Sequence, residues 1–196
     1  MKQFIKTGVL AVLVAFLTFS FTTNTDKKTV KTDESKVVWK GYKVTGSHEG
    51  TIAIQSGELH FNDEALTGGA FVMDMSTINS TDLQGEYKDK LDGHLKSDDF
   101  FGVAKFPTST FKITSVSGKD KSYKVTGDLT IKGITKSTSF ALQIVDDQTA
   151  TAAIKIDRSK FDVRYGSNSF FDDLKDKAIY DEFDLNVTLK YQGSPK

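Results

Sequence analysis

Neighbouring carboxylates are the first residues of this chain whose types and spacing could do chemistry. Pairs occur at Asp98-Asp99, Asp146-Asp147 and Asp172-Asp173, and Asp176 follows the last pair. Such groups can hold a divalent cation or share a proton in acid–base catalysis. However, neighbours on an extended strand point to opposite faces, so adjacency does not bring two carboxylates together. The spacing matches no calcium-binding loop, and solvated turns are the favoured interpretation.

The three histidines, His48, His60 and His94, are the other candidates for chemistry. Their spacing fits no metal site, and a chain without cysteine lacks the usual ligands of structural zinc. His60 alternates with apolar neighbours, which indicates an outward position on a strand. His48 lies in the polar segment TGSHEG, where we expect a hydrogen-bonding role at the rim of the fold. His94 falls near the end of a predicted helix, where the helix dipole favours positive charge.

Further catalytic patterns are missing from the sequence. There is no thiol nucleophile, no G-x-S-x-G and no glycine-rich phosphate loop after a strand. The 26 basic residues balance the 26 acidic ones, which argues against binding to nucleic acid. We therefore predict a protein that is not an enzyme, uses no cofactor or metal, and has no nucleic-acid partner.

The N-terminal segment has the pattern of an export signal. Lys2 and Lys6 precede the apolar run 8–21, which is shorter than the about 20 residues that span a bilayer as a helix. We predict a signal peptide over residues 1–23, a polar leader over 24–34 and one folded domain over 35–192. Cleavage would leave no stable membrane anchor and place the protein in the periplasm or the medium.

Beyond Lys36, apolar and polar residues alternate as they do in half-buried strands. Four strands are predicted before residue 81, with Ser56-Gly57 as a tight hairpin between the second and third. Further strands are predicted over 110–116, 122–132, 138–145, 151–157 and 182–191, and residues 157–180 as a loop with a helical turn. Eight or nine strands, each apolar on one face, fit either a two-sheet sandwich or a closed antiparallel barrel.

A helical pattern separates the two groups of strands. Glu86 and Lys90 form a favourable pair four residues apart, and Phe106-Pro107 ends the crossover. The helix is predicted to begin near Thr81, capped by Thr81 or Asp82. Its apolar face would carry residues spaced by four: Leu83, Tyr87, Leu91 and Leu95.

The apolar strand faces leave two interpretations open. They carry seven large side chains: Trp39, Phe71, Met73, Met75, Phe111, Phe140 and Phe183. Each of them alone is explained by an ordinary core. Together they are equally suited to line a long apolar pocket, and methionine adapts its shape to flexible ligands.

Several motifs, in this order, resemble the YceI-like family of exported bacterial proteins. They are SKVVWKG, HEGTIAIQSGEL, GHLKSDDFFGVAKFPTSTF, GDLTIKGITK and IDRSKFDV, and the similarity extends over about residues 33–191. The resemblance implies an all-β fold: an extended lipocalin-like antiparallel β-barrel of about eight strands, with a helix in the crossover. It also implies binding of a polyisoprenoid or fatty-acid-like chain inside the barrel, a homodimer, and no catalytic machinery.

The leading hypothesis is therefore a carrier of a long-chain apolar molecule. Its ligand-binding residues would be the seven large side chains above, with Phe101 near an opening and His48 at the polar rim. The family often has a histidine just before the serine that opens the domain, whereas Glu34 precedes Ser35 in this chain. The alternative is a structural or stress-related interaction protein whose barrel is filled by its own core.

Overall fold

The computed structural model describes residues 25–193. The predicted signal peptide, residues 1–23, lies outside the described residues. Nine strands make up most of the fold: β1 Thr25–Thr29, β2 Lys36–Lys43, β3 Gly46–Asn62, β4 Ala65–Ser80, β5 Thr108–Lys119, β6 Ser122–Ile131, β7 Ile134–Asp146, β8 Thr149–Asp157 and β9 Glu182–Lys190. One helix, α1 (Gly85–Lys96), and two 3-10 turns, Arg158–Phe161 and Lys175–Lys177, complete it.

Strands β2 to β9 close into one antiparallel barrel. Each strand pairs with its neighbour along the chain, and β2 pairs with β9 to complete the ring, with Val37 opposite Val187 and Trp39 opposite Leu185. β1 lies outside the ring and pairs with the second half of β3. The prediction of a lipocalin-like barrel with a helix in the crossover is confirmed, and the sandwich is excluded.

The two ends of the barrel are built differently. Tight hairpins join β3 to β4, β5 to β6 and β7 to β8 at one end, which we call the hairpin end. The helical crossover 81–107 and the long connection 158–181 lie at the other, which we call the crossover end. The predicted loop with a helical turn over 157–180 is thus present as two 3-10 turns.

The hairpin predicted at Ser56-Gly57 is wrong. Residues 46–62 form one continuous strand, and the ladder between β3 and β4 shifts register between Ile54 and Ser56. A β-bulge of this kind bends the strand without ending it. Gly57 is needed at the bend because a Cβ there would lie 2.8 Å from the ring of Phe71. The small residues that suggested a turn therefore mark a bend in the barrel wall.

The polar leader predicted over residues 24–34 is also corrected. Residues 25–29 form β1, with Lys28 opposite Leu59, and Val30 is buried and forms an isolated bridge with Tyr191. The second half of β3 runs past β2 and offers a free edge, which β1 covers. Main-chain pairing places this segment in the sheet although its side chains are mostly polar.

The helix begins at Gly85, later than predicted, and Gln84 rather than Thr81 or Asp82 precedes it. Leu83 therefore lies outside the helix, and Tyr87 is 75% exposed. A polar contact from the middle of the helix holds it to the end of β4 instead. Asp92 Oδ1 accepts hydrogen bonds from the N–H of Ser80 at 2.6 Å and from its hydroxyl at 2.8 Å. Only the second half of the predicted apolar face packs inward: Leu91 in part, and Leu95 fully.

Tyr191 anchors the hairpin end. Its side chain is 1% exposed, packs on Phe61 at 5.9 Å between ring centres, and donates a hydrogen bond to the carbonyl oxygen of Asp146 at 3.2 Å. Burial raises the pKa of Tyr191 to about 12. In the unfolded chain a tyrosine has a pKa of about 10. Between these values the folded protein keeps a proton that the unfolded chain releases.

We expect this difference to weaken the fold at alkaline pH. The stabilisation is complete below about pH 10 and is lost as the pH rises toward 12, by about 1.4 kcal/mol for each pKa unit. In Tyr191→Phe, the free energy of unfolding, measured with urea, should fall less steeply between about pH 9 and 12 than in the wild type. Tyr87→Phe, at an exposed site, serves as the control. Identical pH profiles for wild type and Tyr191→Phe would contradict the assignment.

Candidate functional site

The inward faces of the barrel strands enclose a cavity of about 200 Å³. Its wall is almost entirely apolar; the polar side chains that reach it are Ser109, Thr138, Arg158 and Tyr180. Protein interiors are normally packed without voids much larger than a water molecule. A continuous apolar space of this size is therefore a candidate ligand site rather than a packing defect.

Eight of the nine side chains proposed from the sequence line this cavity: Trp39, Phe71, Met73, Met75, Phe101, Phe111, Phe140 and Phe183. Strand alternation brings seven of them together, because residues two apart on a strand share a face. Phe101 comes instead from the crossover, where it is buried beside Phe100 with 5.0 Å between ring centres.

His48 does not line the cavity. Its Nδ1 lies 2.9 Å from Asp82 Oδ2, and the side chain is partly exposed at the crossover end of β3. Two residues further along β3 lies Gly50. The indole of Trp39 packs against it so closely that a Cβ at Gly50 would lie 2.5 Å from the ring. The expected position at the rim is therefore observed, but contact with the cavity is not.

The cavity wall differs from the packed parts of the core. Phe71, Met73, Phe111 and Phe140 face the interior and yet stay partly exposed, because they border empty space. At the hairpin end, Leu59 and Val125 are 0% exposed, as expected for filled core. The sequence left a pocket and a core as alternatives; the barrel contains both, at different heights.

The crossover end of the cavity is covered by aromatic and aliphatic side chains. Leu95 at the end of α1 and the neighbouring Phe100 and Phe101 are buried and border the cavity. Val103 N–H donates to the carbonyl of Lys96 at 2.9 Å, which folds this segment back onto the helix. The crossover thus forms the cover of the barrel.

Arg158 is the charged residue of the cavity lining, and the sequence pattern does not single it out. It is 2% exposed and lies over the ring of Phe100, 5.4 Å from the ring centre. Its guanidinium donates to three main-chain carbonyls, of Val163, Ile179 and Tyr180, at 2.8 to 3.1 Å.

The charge of Arg158 is balanced within the protein. Asp181 Oδ1 lies 3.5 Å from its guanidinium. Burial lowers the pKa of Arg158, and the nearby carboxylates Asp181 and Asp157 oppose this shift. Flanked by Asp157 and Ser159, the arginine looks like part of a solvated turn; the motif IDRSKFDV was the signal that could have revealed it.

The paired carboxylates, His48 and His60 lie outside the cavity, at or near the outer surface. Asp98 Oδ2 pairs with Lys105 Nζ at 2.6 Å, and a main-chain hydrogen bond from Gln148 lowers the pKa of Asp146. A hydrogen bond from His60 lowers the pKa of Glu58. Within residues 25–193, no group of three or more metal-ligating side chains comes together.

The His94 ring lies in an aromatic contact at the crossover end. It meets Tyr165 edge-on at 4.3 Å and Phe100 at 5.6 Å between ring centres. His94 lies in the last turn of α1, as predicted, and its ring contacts other aromatic rings there rather than carboxylates. None of the described helices is long and apolar enough to cross a bilayer.

Fold and cavity together define a class: an eight-stranded antiparallel barrel with an apolar cavity in its interior. Residues 28–191 match the YceI-like domain, and this chain belongs to that family. Protein YceI of Escherichia coli O157:H7 is 38% identical over 69 residues, which is 35% of this chain and 36% of the relative. The matched region thus spans about a third of that curated relative.

Two solved structures share the fold. BcnA of Burkholderia cenocepacia superposes with a TM-score of 0.65 at 21% identity, covering 82% of this chain and 98% of BcnA. A structure from Saccharophagus degradans, described as a polyisoprenoid binding domain implicated in plant cell wall breakdown, gives a TM-score of 0.57 at 14% identity. The match covers 85% of this chain and 98% of that domain.

The contrast between cavity wall and packed core predicts different costs for the same substitution. Leu59→Ala removes a fully buried side chain and should lower the free energy of unfolding by about 2–5 kcal/mol. Leu185→Ala removes a partly exposed side chain that already borders the cavity, so less contact is lost, and the cost should be less than half as large. Urea unfolding measures both; equal costs would mean that the interior is packed throughout.

Proposed function

We propose that this protein binds one long-chain apolar molecule, polyisoprenoid or fatty-acid-like, inside the barrel and carries it in the periplasm or outside the cell. The observation that carries the proposal is the apolar cavity with partly exposed aromatic and methionine side chains on its wall. The description of the Saccharophagus degradans structure as a polyisoprenoid binding domain supports the same ligand class.

The energetics favour a ligand over an empty interior. At about 24 cal/mol per Å³, keeping 200 Å³ empty costs the fold about 5 kcal/mol. Each methylene group that enters recovers about 0.8 kcal/mol, so a chain binds well with few polar contacts. A non-ligand interaction protein, the alternative, would be expected to fill its interior and avoid this cost.

The size of the cavity restricts how the ligand fits. Its 200 Å³ are below the about 300–1,000 Å³ that are usual for ligand pockets. A long chain therefore requires the wall to yield. Met73 and Met75 have flexible thioether side chains. Phe111 and Phe140, on the two strands that flank β6, meet on the inner wall at 5.2 Å between ring centres. We propose that these four side chains move apart as the chain enters. The homodimer implied by the family resemblance stays a prediction.

Two neighbouring alanines of β8 provide the test. Ala152 faces the cavity, whereas Ala153 faces outward and is exposed. Ala152→Phe should fill the cavity and reduce the affinity for cis-parinaric acid, a fluorescent fatty acid, by at least about tenfold, or about 1.4 kcal/mol. Its unfolding free energy should be unchanged or higher, since a void is filled. Ala153→Phe should bind like the wild type. Equal binding by both variants would contradict a site inside the barrel.

A further inference from the structure

The barrel wall is interrupted between β7 and β8. These strands pair from Asp146–Thr149 at the hairpin to Ala141–Ala153, and the ladder stops there. β7 nevertheless continues back to Ile134, paired only with β6, and β8 continues to Asp157, paired only with β9. In the part of the chain described, residues 134–140 and 154–157 thus form two facing edges without ladder hydrogen bonds between them.

The ladder is also incomplete elsewhere, but side chains or main chain fill these places. Between β3 and β4 it skips residues 75–78, where Met75 and Ile78 are buried and the N–H of Ala53 donates to Thr77 Oγ1 at 2.9 Å. Between β4 and β5, near the hairpin end, Leu66, Ile113 and Tyr123 are buried in the gap, and the N–H of Leu66 donates to the Tyr123 hydroxyl at 3.4 Å. Beyond the paired part of β2 and β9, the chain closes by a bridge from Lys43 to Ile179.

The gap between β7 and β8 opens onto the cavity instead. Thr138, Phe140 and Ile154 stand on its two edges, are only partly buried, and line the cavity. The Ala141–Ala153 pair bounds the gap on the side of the hairpin end. The 3-10 turn 158–161, which contacts β7, bounds the gap on the side of the crossover end. We call this opening the side window.

Among residues 25–193, neither end of the barrel offers a comparable route. The hairpin end is filled by Leu59, Val125 and Tyr191, which are almost wholly buried. The crossover end is covered by buried Phe100 and Phe101. Passage through either end requires large side chains to leave their packing, whereas passage at the side window breaks no ladder hydrogen bond.

We infer that the apolar ligand enters and leaves the barrel sideways, through the side window between β7 and β8. The inference rests on the proposed function and adds a route to it. The tail lies along the inward faces, while a small polar head stays at the window, where the two open edges supply main-chain N–H and C=O groups.

Lys136 is the charged group that can meet this head. It lies on the open edge of β7 opposite Leu129, on the same face of the strand as Thr138, and is exposed, with no ion-pair partner among the described residues. The other two cations near the window already have partners. Lys155 Nζ lies 2.8 Å from Asp184 and 3.7 Å from Glu182, and the guanidinium of Arg158 donates to three carbonyls beside Asp181. The window thus suits an uncharged head, such as a hydroxyl, and a carboxylate head that pairs with Lys136.

Two single-cysteine variants test the window, because the natural chain has no cysteine. Thr138→Cys places a thiol at the window; Ala152→Cys places one on the same cavity wall, where the strands are paired. Both replacements are small, and thermal unfolding checks that both variants fold. A sulfonated maleimide should label the Thr138→Cys variant at least about tenfold faster, since only the second site requires opening of the sheet. Equal labelling rates in the folded proteins would overturn the side window.

A second arm separates the window from the proposed function. Geranylgeraniol, an uncharged polyisoprenoid alcohol, should slow the labelling of the Thr138→Cys variant in proportion to its occupancy, measured separately on the wild type by displacement of cis-parinaric acid. Fast labelling of this variant without binding of either probe would support the window and contradict the proposed function. Binding of geranylgeraniol with no protection of the thiol at the window would support the function and contradict passage through the window.

Discussion

Closure of the sheet by the pairing of β2 with β9 is the constraint on which the rest of the structure depends. Once Val37 lies opposite Val187, every strand is committed to one ring, and every second side chain must share one interior. A ring of eight strands leaves a space just wide enough for side chains or one slim ligand. Whether that space is filled then depends on side-chain size at each height of the barrel.

The interior is filled at both ends and open between them. At the hairpin end, Leu59, Val125 and Tyr191 are almost wholly buried in one packed cluster, which closes this end of the barrel. At the other end, the crossover brings Leu95, Phe100 and Phe101 over the opening. The middle is lined by side chains that leave space between them. This arrangement lets the packed ends stabilise the barrel while the middle stays available for a ligand.

Alternation along the sequence predicts the strands and their inward faces, whereas the choice of a barrel over a sandwich rests on the resemblance to the YceI-like family. The spacing of Trp39, Phe71 and Phe140 places them on apolar strand faces, and they line the cavity. The sequence-based predictions are wrong where main-chain pairing, rather than side-chain pattern, decides the local structure. β1 has polar side chains but covers a free edge of β3, and Ser56-Gly57 resembles a turn but forms a bulge. No local pattern reports either outcome.

Two functional features also depend on distant contacts. Arg158 becomes a cavity residue only because the carbonyls of Val163, Ile179 and Tyr180 converge on it. The side window exists because the ladder between β7 and β8 stops at Ala141 while both strands continue. Both strands keep their extended pattern beyond that point, so the interruption is visible only in the folded chain.

The barrel is expected to hold an apolar chain in its natural setting. Native mass spectrometry of the protein purified from its own host, followed by organic extraction and identification of what is released, tests it most directly. The account predicts a reproducible mass increase from one long-chain apolar molecule per barrel, and loss of that mass in Ala152→Phe. Protein that is repeatedly empty, with an interior unchanged by added lipid, would contradict it.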